Sequence, residues 1–384
     1  VENYVSADNM AGTQSSYKGT LTTDDTPHPL HLIDKYSKNK KTARWLTIQF
    51  KTQYTDANGD VQIVEPTNST DFQIFNGYLK YSDILTMGTG ATANDFGYDL
   101  SRFNLSAQTD RFLTNAPATQ YANLEDYGTL AFLAPNNNLD FIKLNYYDSS
   151  GSPLGNENVN RTYTNGAWNS PQSYIFYRFM YFGCFPANLQ NWSSTFQALV
   201  TAGTIQGGSI VVQAFSTSQA ISKEYTININ CPNLKGYESI RLCWLNQWGA
   251  WDYYTFTQKS IRSISTKGST YEQLAGTWNE AAYRVDSYKG GKKSFRVNAT
   301  EKITMNSDFV SESENDMFEE LINSPEVYIL EGYQDDGTFS ALNQYVKPVR
   351  LTTSSFTKKT VANDKLIQYT FEVEKSKTLR TQSV

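Results

Sequence analysis

The chain of 384 residues is 18% charged and 14% aromatic, and its formal net charge is −5. Many aromatic residues with a low net charge exclude an intrinsically disordered protein. Lys and Arg form no broad basic block, and the richest basic stretch, residues 35–44, is typical of a solvated loop or a protein contact. No apolar stretch approaches the roughly 20 residues that a membrane span needs. We therefore expect neither a direct nucleic-acid partner nor a membrane span.

The first part of the chain contains two predicted hairpins. Residues 44–51 alternate apolar and polar side chains, as a half-buried strand does, and residues 56–60 then form a turn whose Asn-Gly pair supplies the positive φ angles. Residues 141–147 are strand-like in the same way, and residues 148–152 are the second turn. These elements predict one N-terminal β domain.

Between the two hairpins, residues 87–103 are rich in Gly, Thr, Ala and Asp and predict a long surface loop. A loop of this length in a compact domain is usually a functional or binding segment. Three aromatic side chains can anchor a contact there: Phe96, Tyr98 and Phe103. We therefore expect the loop to be ordered mainly by contact with an adjacent subunit or a neighbouring protein.

The most distinctive run of the chain lies between residues 240 and 256. Its large aromatic residues are candidate core or interface anchors, because such side chains supply most of the energy of cores and interfaces. Gly249 predicts a tight turn between two strands, with a reversal at residues 247–250. A flat platform of three Trp for sugar stacking is the alternative interpretation. The anchors in this run are Trp244, Trp248, Trp251 and Tyr253.

The last third contains the one clear helix, which we predict over residues 311–323. Ser311 followed by Glu314 is a capping box, and four apolar residues recur at helical spacing after it. Strand-like segments follow the helix. This part of the chain is therefore predicted to be a C-terminal β domain with a helix.

Together these elements predict a mainly β protein of two or three β-sandwich domains, Ig-like or jelly-roll-like, with one short helix in the C-terminal domain. The predicted domains span residues 1–160, 161–265 and 266–384. The second is a β-sandwich that includes strand-like segments at residues 210–215 and 225–229.

Cysteine and histidine usage favours neither a disulfide framework nor a metal site. The three cysteines, Cys184, Cys231 and Cys243, are odd in number and lack Cys-x-x-Cys spacing. Their apolar or aromatic surroundings predict buried free thiols. The two histidines, His28 and His31, have no Cys or acidic cluster beside them. We therefore expect no bound metal and no cofactor.

No motif in the sequence assigns catalysis. A phosphate-binding loop, a dinucleotide-binding glycine pattern and a nucleophile elbow are all missing from the sequence. Pairs such as Glu125 with Asp126, or Asp252 with Glu280, match a glycosidase only in residue type. We therefore expect a protein without enzymatic activity and name no catalytic, cofactor-binding or metal-ligating residue.

Three segments carry a resemblance to a known group of proteins. Residues 241–256, RLCWLNQWGAWDYYTF, resemble a strand–turn–strand signature of virion structural proteins of tailed bacteriophages, especially phages of marine bacteria and Bacteroidetes, with Ala250 in place of a second Gly. Residues 111–117, RFLTNAP, resemble the Phe-Leu-Thr-Asn-x-Pro segment of the same proteins. The C-terminal run from residue 309 to residue 371 resembles their ending.

The resemblance implies a β-sandwich component of the neck, tail or baseplate of a phage particle. Such a protein acts without chemistry, through contacts with other virion proteins and with copies of itself in a symmetric ring. Its location would be the virion, or otherwise extracellular. Two alternatives stay open: a secreted or surface carbohydrate-binding β-sandwich protein, and a phage fibre or adhesin that meets the host directly.

Overall fold

The protein is mainly β, with several sheets and only short helices, which confirms the predicted fold class. Among the residues described, no helix is long and apolar enough to cross a membrane. The computed structural model describes residues 5–8, 14–16, 36–38, 43–68, 72–75, 77–78, 103, 105, 112–133, 139–160, 179–231, 236–277, 280–286, 288–331, 346–360, 367–377 and 379.

The longest of the described strands are β4, β17 and β18, with 13, 13 and 16 residues. In chain order they are β1 (Val5–Asp8), β2 (Gln14–Ser16), β3 (Tyr36–Lys38), β4 (Ala43–Thr55), β5 (Val61–Asn68), β6 (Phe72–Phe75), β7 (Thr119–Ala122), β8 (Thr129–Leu133), β9 (Phe141–Tyr147), β10 (Pro153–Asn160), β11 (Phe179–Gly183), β12 (Ser209–Ser216), β13 (Gln219–Ala220), β14 (Tyr225–Ile229), β15 (Ile240–Leu245), β16 (Trp251–Phe256), β17 (Ile261–Gln273), β18 (Gly291–Asn306), β19 (Val327–Leu330), β20 (Val346–Leu351) and β21 (Thr370–Lys375).

The helices described are α1 (Pro186–Trp192), α2 (Ser194–Thr201) and α3 (Asn315–Asn323). A 3-10 turn precedes α3, and its predicted capping box between Ser311 and Glu314 is formed. The predicted C-terminal helix is therefore confirmed. The prediction of a single short helix missed α1 and α2, because two helices of seven and eight residues are too short for a helical period to stand out from the sequence.

These strands form four sheets. The N-terminal sheet has the order β2-β1-β4-β5, with β6 beside β4. A six-stranded sheet has the order β10-β9-β12-β14-β7, with β13 beside β12, and a three-stranded middle sheet has the order β3-β11-β8. A seven-stranded sheet has the order β16-β15-β19-β20-β21-β18-β17. Among the described strands, only β14 and β7 pair in parallel.

The described side chains of β8 and β11 in the middle sheet are buried on both faces, and these strands form the central layer of a stack. Side chains of a strand point alternately to opposite faces. In β8, Leu130 and Phe132 therefore join a first core with the six-stranded sheet, whereas Ala131 and Leu133 join a second core with the seven-stranded sheet. A third core lies on the other face of the seven-stranded sheet, where α3 covers it through Phe318.

The sheets do not follow the predicted domain boundaries. The six-stranded sheet takes strands from both sides of residue 160, since β9 pairs with both β10 and β12. The seven-stranded sheet takes strands from both sides of residue 265, since β15 pairs with β19. Each predicted boundary therefore lies within the span of a single hydrogen-bonded sheet. Local hairpin patterns show where strands are, but long-range pairing decides which sheet they join.

Three hairpin turns share one design. An Asp or Asn opens each turn, and its Oδ1 accepts hydrogen bonds from the backbone amides two and four residues later. A Gly three residues after it adopts a φ of 87°, 82° or 70°, which only glycine adopts without strain. The predicted reversals are confirmed, but Asn58 does not share the positive φ as predicted. The pairs are Asp56 with Gly59, Asp148 with Gly151, and Asn246 with Gly249.

Candidate functional site

The three Trp of the middle run are buried inside the chain. Trp244 lies in the third core, whereas Trp248, Trp251 and Tyr253 lie in the second. The exposed fractions of the three Trp are 0%, 1% and 2%. Rings on opposite faces of a buried sheet cannot form a flat platform for a sugar. The hairpin of β15 and β16 is therefore part of the core of the protein.

The segments that carry the phage resemblance meet around this hairpin, in a cluster that we call the buried junction. Thr114 donates a hydrogen bond from Oγ1 to Asp252 (2.5 Å), and Asn246 donates from Nδ2 to the carbonyl oxygen of Leu113 (3.0 Å). Asn115 donates to Glu320 of α3 (2.7 Å). The buried junction thus joins residues that are more than 200 positions apart in sequence.

The C-terminal segment completes the buried junction through the residues that end α3. The backbone amide of Leu245 donates to Ser324 Oγ (3.1 Å) and to the carbonyl oxygen of Glu326 (3.2 Å). A buried polar group costs free energy unless it is hydrogen-bonded. These partners explain why polar residues recur at fixed positions around an otherwise apolar hairpin.

Asp252 is the acidic group of the buried junction. Its side chain also accepts a hydrogen bond from Asn246 Nδ2 (3.1 Å). Burial raises the pKa of Asp252 to about 6, although the hydrogen bonds from Thr114 and Asn246 act to lower it. Glu280, its possible glycosidase partner in the sequence, is exposed and pairs with Arg284 (2.9 Å). The structure does not bring these two carboxylates together.

Arg241 of β15 connects the seven-stranded sheet to the segment that contains Asp126 and Tyr127. Its Nη1 donates to Thr255 Oγ1 (2.7 Å) and lies 3.4 Å from Asp126 Oδ2, while Nε donates to the carbonyl oxygen of Tyr127 (2.9 Å). The guanidinium carbon lies 4.9 Å from the ring centre of Phe185. The carboxylate of Asp126 is therefore paired with Arg241 inside the protein. Removing either member of this buried ion pair would leave an uncompensated charge.

The hairpin that follows the buried one is exposed. Strands β17 and β18, with the loop between them, form a hairpin that we call the β-arm. Every residue of β17 except Gln273 is exposed. Among the described residues, Lys302–Asn306 of β18 pair with β21 and Ala299 bridges to Leu379, so from Gly291 to Asn298 β18 pairs with β17 alone. At about 3.3 Å per residue this free part is roughly 25 Å long.

The β-arm exposes apolar side chains on one face. Val297 and Ala299 continue the alternation of the buried Ile303 along β18, and Ile264 lies opposite Glu301 on the same face, whereas the exposed Phe295 lies at a β-bulge. More than half of the exposed large hydrophobic residues described lie on the β-arm. They are Ile261, Ile264, Tyr271, Leu274, Tyr283, Val285, Tyr288, Phe295 and Val297.

The arm tip, the described residues among 274–290, presents large apolar side chains. Thr277 accepts a hydrogen bond from the backbone amide of Arg284 at Oγ1 (2.8 Å) and donates from its own amide to the carbonyl oxygen of Arg284 (3.0 Å). A Cβ on Gly276 would lie 2.3 Å from the ring of Tyr283. Even so, Leu274 and Tyr288 are 68% and 75% exposed.

Ion pairs fix the root of the β-arm. Arg262 pairs with Glu238 (2.5 Å) and with Glu301 (2.9 Å), and Lys375 also pairs with Glu301 (2.8 Å). Lys375 and then Arg262 hold the pKa of Glu301 below its usual value. Glu238, Arg262 and Lys375 line a cavity of about 710 Å³, whose wall also includes Arg241. The acidic and basic side chains that line this cavity are equal in number.

The predicted loop anchors and the three cysteines differ in how well the structure agrees with the predictions. Phe103 is buried against Trp248, with ring centres 6.1 Å apart, whereas Phe96, Tyr98 and the rest of the loop over residues 87–102 lie outside the described residues. Cys184 and Cys243 are buried as predicted. The prediction for Cys231 is wrong: Cys231 is exposed and lies two residues beyond the end of β14.

The β-arm itself was not predicted. Its strands contain Ser, Thr, Lys and Gly where a buried strand would have apolar residues. The signal that could have predicted it is the alternation of apolar residues along β18: Phe295, Val297, Ala299, Ile303 and Met305.

The chain matches no known protein-family profile, no curated protein and no solved structure.

Proposed function

We propose that this protein is a non-enzymatic structural component of a tailed-phage particle, in its neck, tail or baseplate, and acts through protein–protein contacts. The observation that carries the proposal is the β-arm. An isolated two-stranded hairpin is marginally stable in water, yet this one is long and exposes apolar side chains on the body of its strands and at its tip. A protein partner that covers the β-arm accounts for both features.

The geometry of the β-arm suits assembly. Among the described strands, β17 is the last of its sheet and leaves a row of backbone donors and acceptors unpaired, which is a template for another chain. Large apolar patches on a protein surface mark interaction sites. Ion pairs at the root join β17 and β18 to Glu238 and to β21.

The buried junction supports the same proposal in a different way. The segments that resemble phage virion proteins hydrogen-bond to one another inside the core. Contacts of this kind support a common architecture with those proteins. The resemblance therefore concerns the scaffold. The β-arm is the part of that scaffold that reaches outward.

Assembly through the β-arm is tested on the purified full chain by sedimentation and thermal unfolding. A variant with Leu274, Tyr283, Val285 and Tyr288 all changed to Ser should unfold at the wild-type temperature but lose the concentration-dependent oligomers of the wild type. The matched control changes Tyr54, Val61 and Ile63, which are exposed on the β4–β5 hairpin, to Ser and should still assemble. Unchanged oligomers in the arm-tip variant would contradict the proposal.

The place in a phage particle needs its own test. Mass spectrometry of purified particles of the phage that encodes the chain should find its peptides in several copies per particle. A glycan array and a host-cell binding assay distinguish the alternatives. Specific glycan binding by the monomer, with no peptides in the particle, would instead support the carbohydrate-binding protein, and binding to host cells would support the adhesin.

A further inference from the structure

A cleft at the end of α3 complements the basic strands of the β-arm in charge. It has a volume of about 510 Å³ and lies where the β15–β16 turn meets the residues that follow α3. We call it the acidic cleft. Among the described residues that line it are two carboxylates and no Lys or Arg. The residues that matter here are Tyr78, Leu245, Gln247, Glu319, Glu320 and Pro325.

The surroundings of the acidic cleft are also acidic. Lys358 is shared between Asp316 (2.8 Å) and Glu319 (2.6 Å), so one cation faces two carboxylates. Glu320 accepts from the neutral amide of Asn115. Tyr78, whose backbone amide donates to the carbonyl oxygen of Gln247 (2.8 Å), is 79% exposed. The cleft therefore combines apolar walls with negative charge.

The β-arm has the opposite charge. On its strands beside the tip, Lys267, Lys292, Lys293 and Arg296 outnumber Glu272, although the chain as a whole has a net charge of −5. The tip itself is neutral, because Glu280 pairs with Arg284 and Asp286 pairs with Lys289. The tip adds exposed apolar side chains, of which Tyr288 is the most exposed. Complementary charge between two surfaces increases the rate and the specificity of association.

Register places the arm tip and the acidic cleft at diagonal corners of the seven-stranded sheet. Four residues lie side by side across the sheet: Trp244 of β15, Val327 of β19, Val349 of β20 and Lys375 of β21. This row reaches β18 next to Lys302. From this row β15 continues to its turn at one end of the sheet, whereas β18 runs back to the arm tip at the other end. β15 and β17 are also near opposite edges in strand order.

These separations exclude insertion within one copy. Strands are spaced by about 4.8 Å, so the two edges of seven strands are roughly 30 Å apart, and the distance along the strands is about 40 Å. We propose that the arm tip of one copy inserts into the acidic cleft of a second copy of this chain. This inference rests on the proposed function and specifies its partner. Such a head-to-tail contact repeats into a ring or a filament.

The test is cross-linking between two variants of the full chain, both with Cys231→Ser. One also carries Tyr288→Cys at the arm tip and the other carries Gln247→Cys at the cleft. The native Cys184 and Cys243 stay unreactive because burial raises the pKa of both thiols. A bifunctional maleimide should cross-link the mixture but neither variant alone, and a mixture of Tyr288→Cys with Ser150→Cys should not react.

Three outcomes would overturn the inference. If oligomers form but the tip–cleft mixture cross-links no more than the Ser150→Cys control, the second copy binds the β-arm elsewhere, and the proposed function stands. Adding Lys292→Glu and Lys293→Glu should weaken association roughly tenfold, and an unchanged cross-linking yield would contradict the charge complementarity. If the wild type forms no oligomers at all, the proposed function fails as well.

Discussion

Two consecutive hairpins of this chain have opposite environments. In β15 and β16, all residues but Tyr254 are buried, and the strands separate two cores. In β17, which follows after four residues, all residues but Gln273 are exposed. Both hairpins belong to one sheet. The buried hairpin therefore determines the architecture, whereas the exposed one is available for a partner.

The comparison shows that aromatic density is a poor guide to the functional surface. The Trp-rich run attracts attention as a binding platform, but its rings are core. The β-arm has a plainer sequence, and its apolar residues are spread thinly along two strands and a loop. Only their exposure, together with the free edge of β17, marks them as an interaction surface.

The sharpest contrast in stability is between Trp244 and Tyr288. Trp244→Ala should lower the free energy of unfolding by about 3–5 kcal/mol, because it leaves a cavity in the third core. Tyr288→Ala removes an exposed ring and should change it by less than about 0.5 kcal/mol. Chemical denaturation of both variants measures the difference. Equal losses would mean that the two hairpins do not differ as described.

The buried junction should make stability depend on pH through Asp252. Its folded pKa of about 6 lies above the ordinary value of 3.8, so the unfolded chain releases this proton first. Its contribution is fully present below pH ~4 and is lost as the pH rises to about 6, a decrease of roughly 2–3 kcal/mol. Asp252→Asn should lack this decrease. The comparison of the two proteins by denaturation from pH 4 to pH 7 isolates the effect, and parallel curves would refute it.

Shared turn geometry allows a smaller test with a matched control. Gly249→Ala and Gly151→Ala both place a Cβ at positive φ (70° and 82°), which costs about 1 kcal/mol or somewhat more. The turn at Gly151 is exposed and can relax. The turn at Gly249 is held by Tyr181, which donates to its carbonyl oxygen (3.2 Å). We expect the larger loss for Gly249→Ala in thermal unfolding, and the reverse order would contradict the rigid junction.

Local signals explain what the sequence could predict. The mainly β class, the three turns with Asp or Asn and Gly, and the capping box at Ser311 depend on neighbouring residues, and all are present. Sheet membership depends on pairings such as β15 with β19, about 85 residues apart, which no local pattern encodes. The hydrogen bonds of Thr114 and Asn115 in the buried junction were hidden for the same reason.

The β-arm could be recognised only from its surroundings. Alternation in β18 predicts a strand, but the same alternation is compatible with a covered or an uncovered face. What distinguishes the two is that, in the part of the chain that the structure describes, β18 pairs with no strand except β17 from Gly291 to Asn298. The interaction surface is therefore a property of the fold, not of a motif.

Hydrogen–deuterium exchange tests the contrast between the two hairpins most directly. In dilute, unassembled protein, amides of β15 and β16 should be strongly protected, whereas the outward-facing amides of β17 and the arm tip should exchange rapidly, because they are open to solvent. In the assembled protein, protection of the β-arm should rise while that of the buried hairpin stays the same. A β-arm that is equally protected in both states, or that still exchanges rapidly after assembly, would contradict its role as the assembly surface.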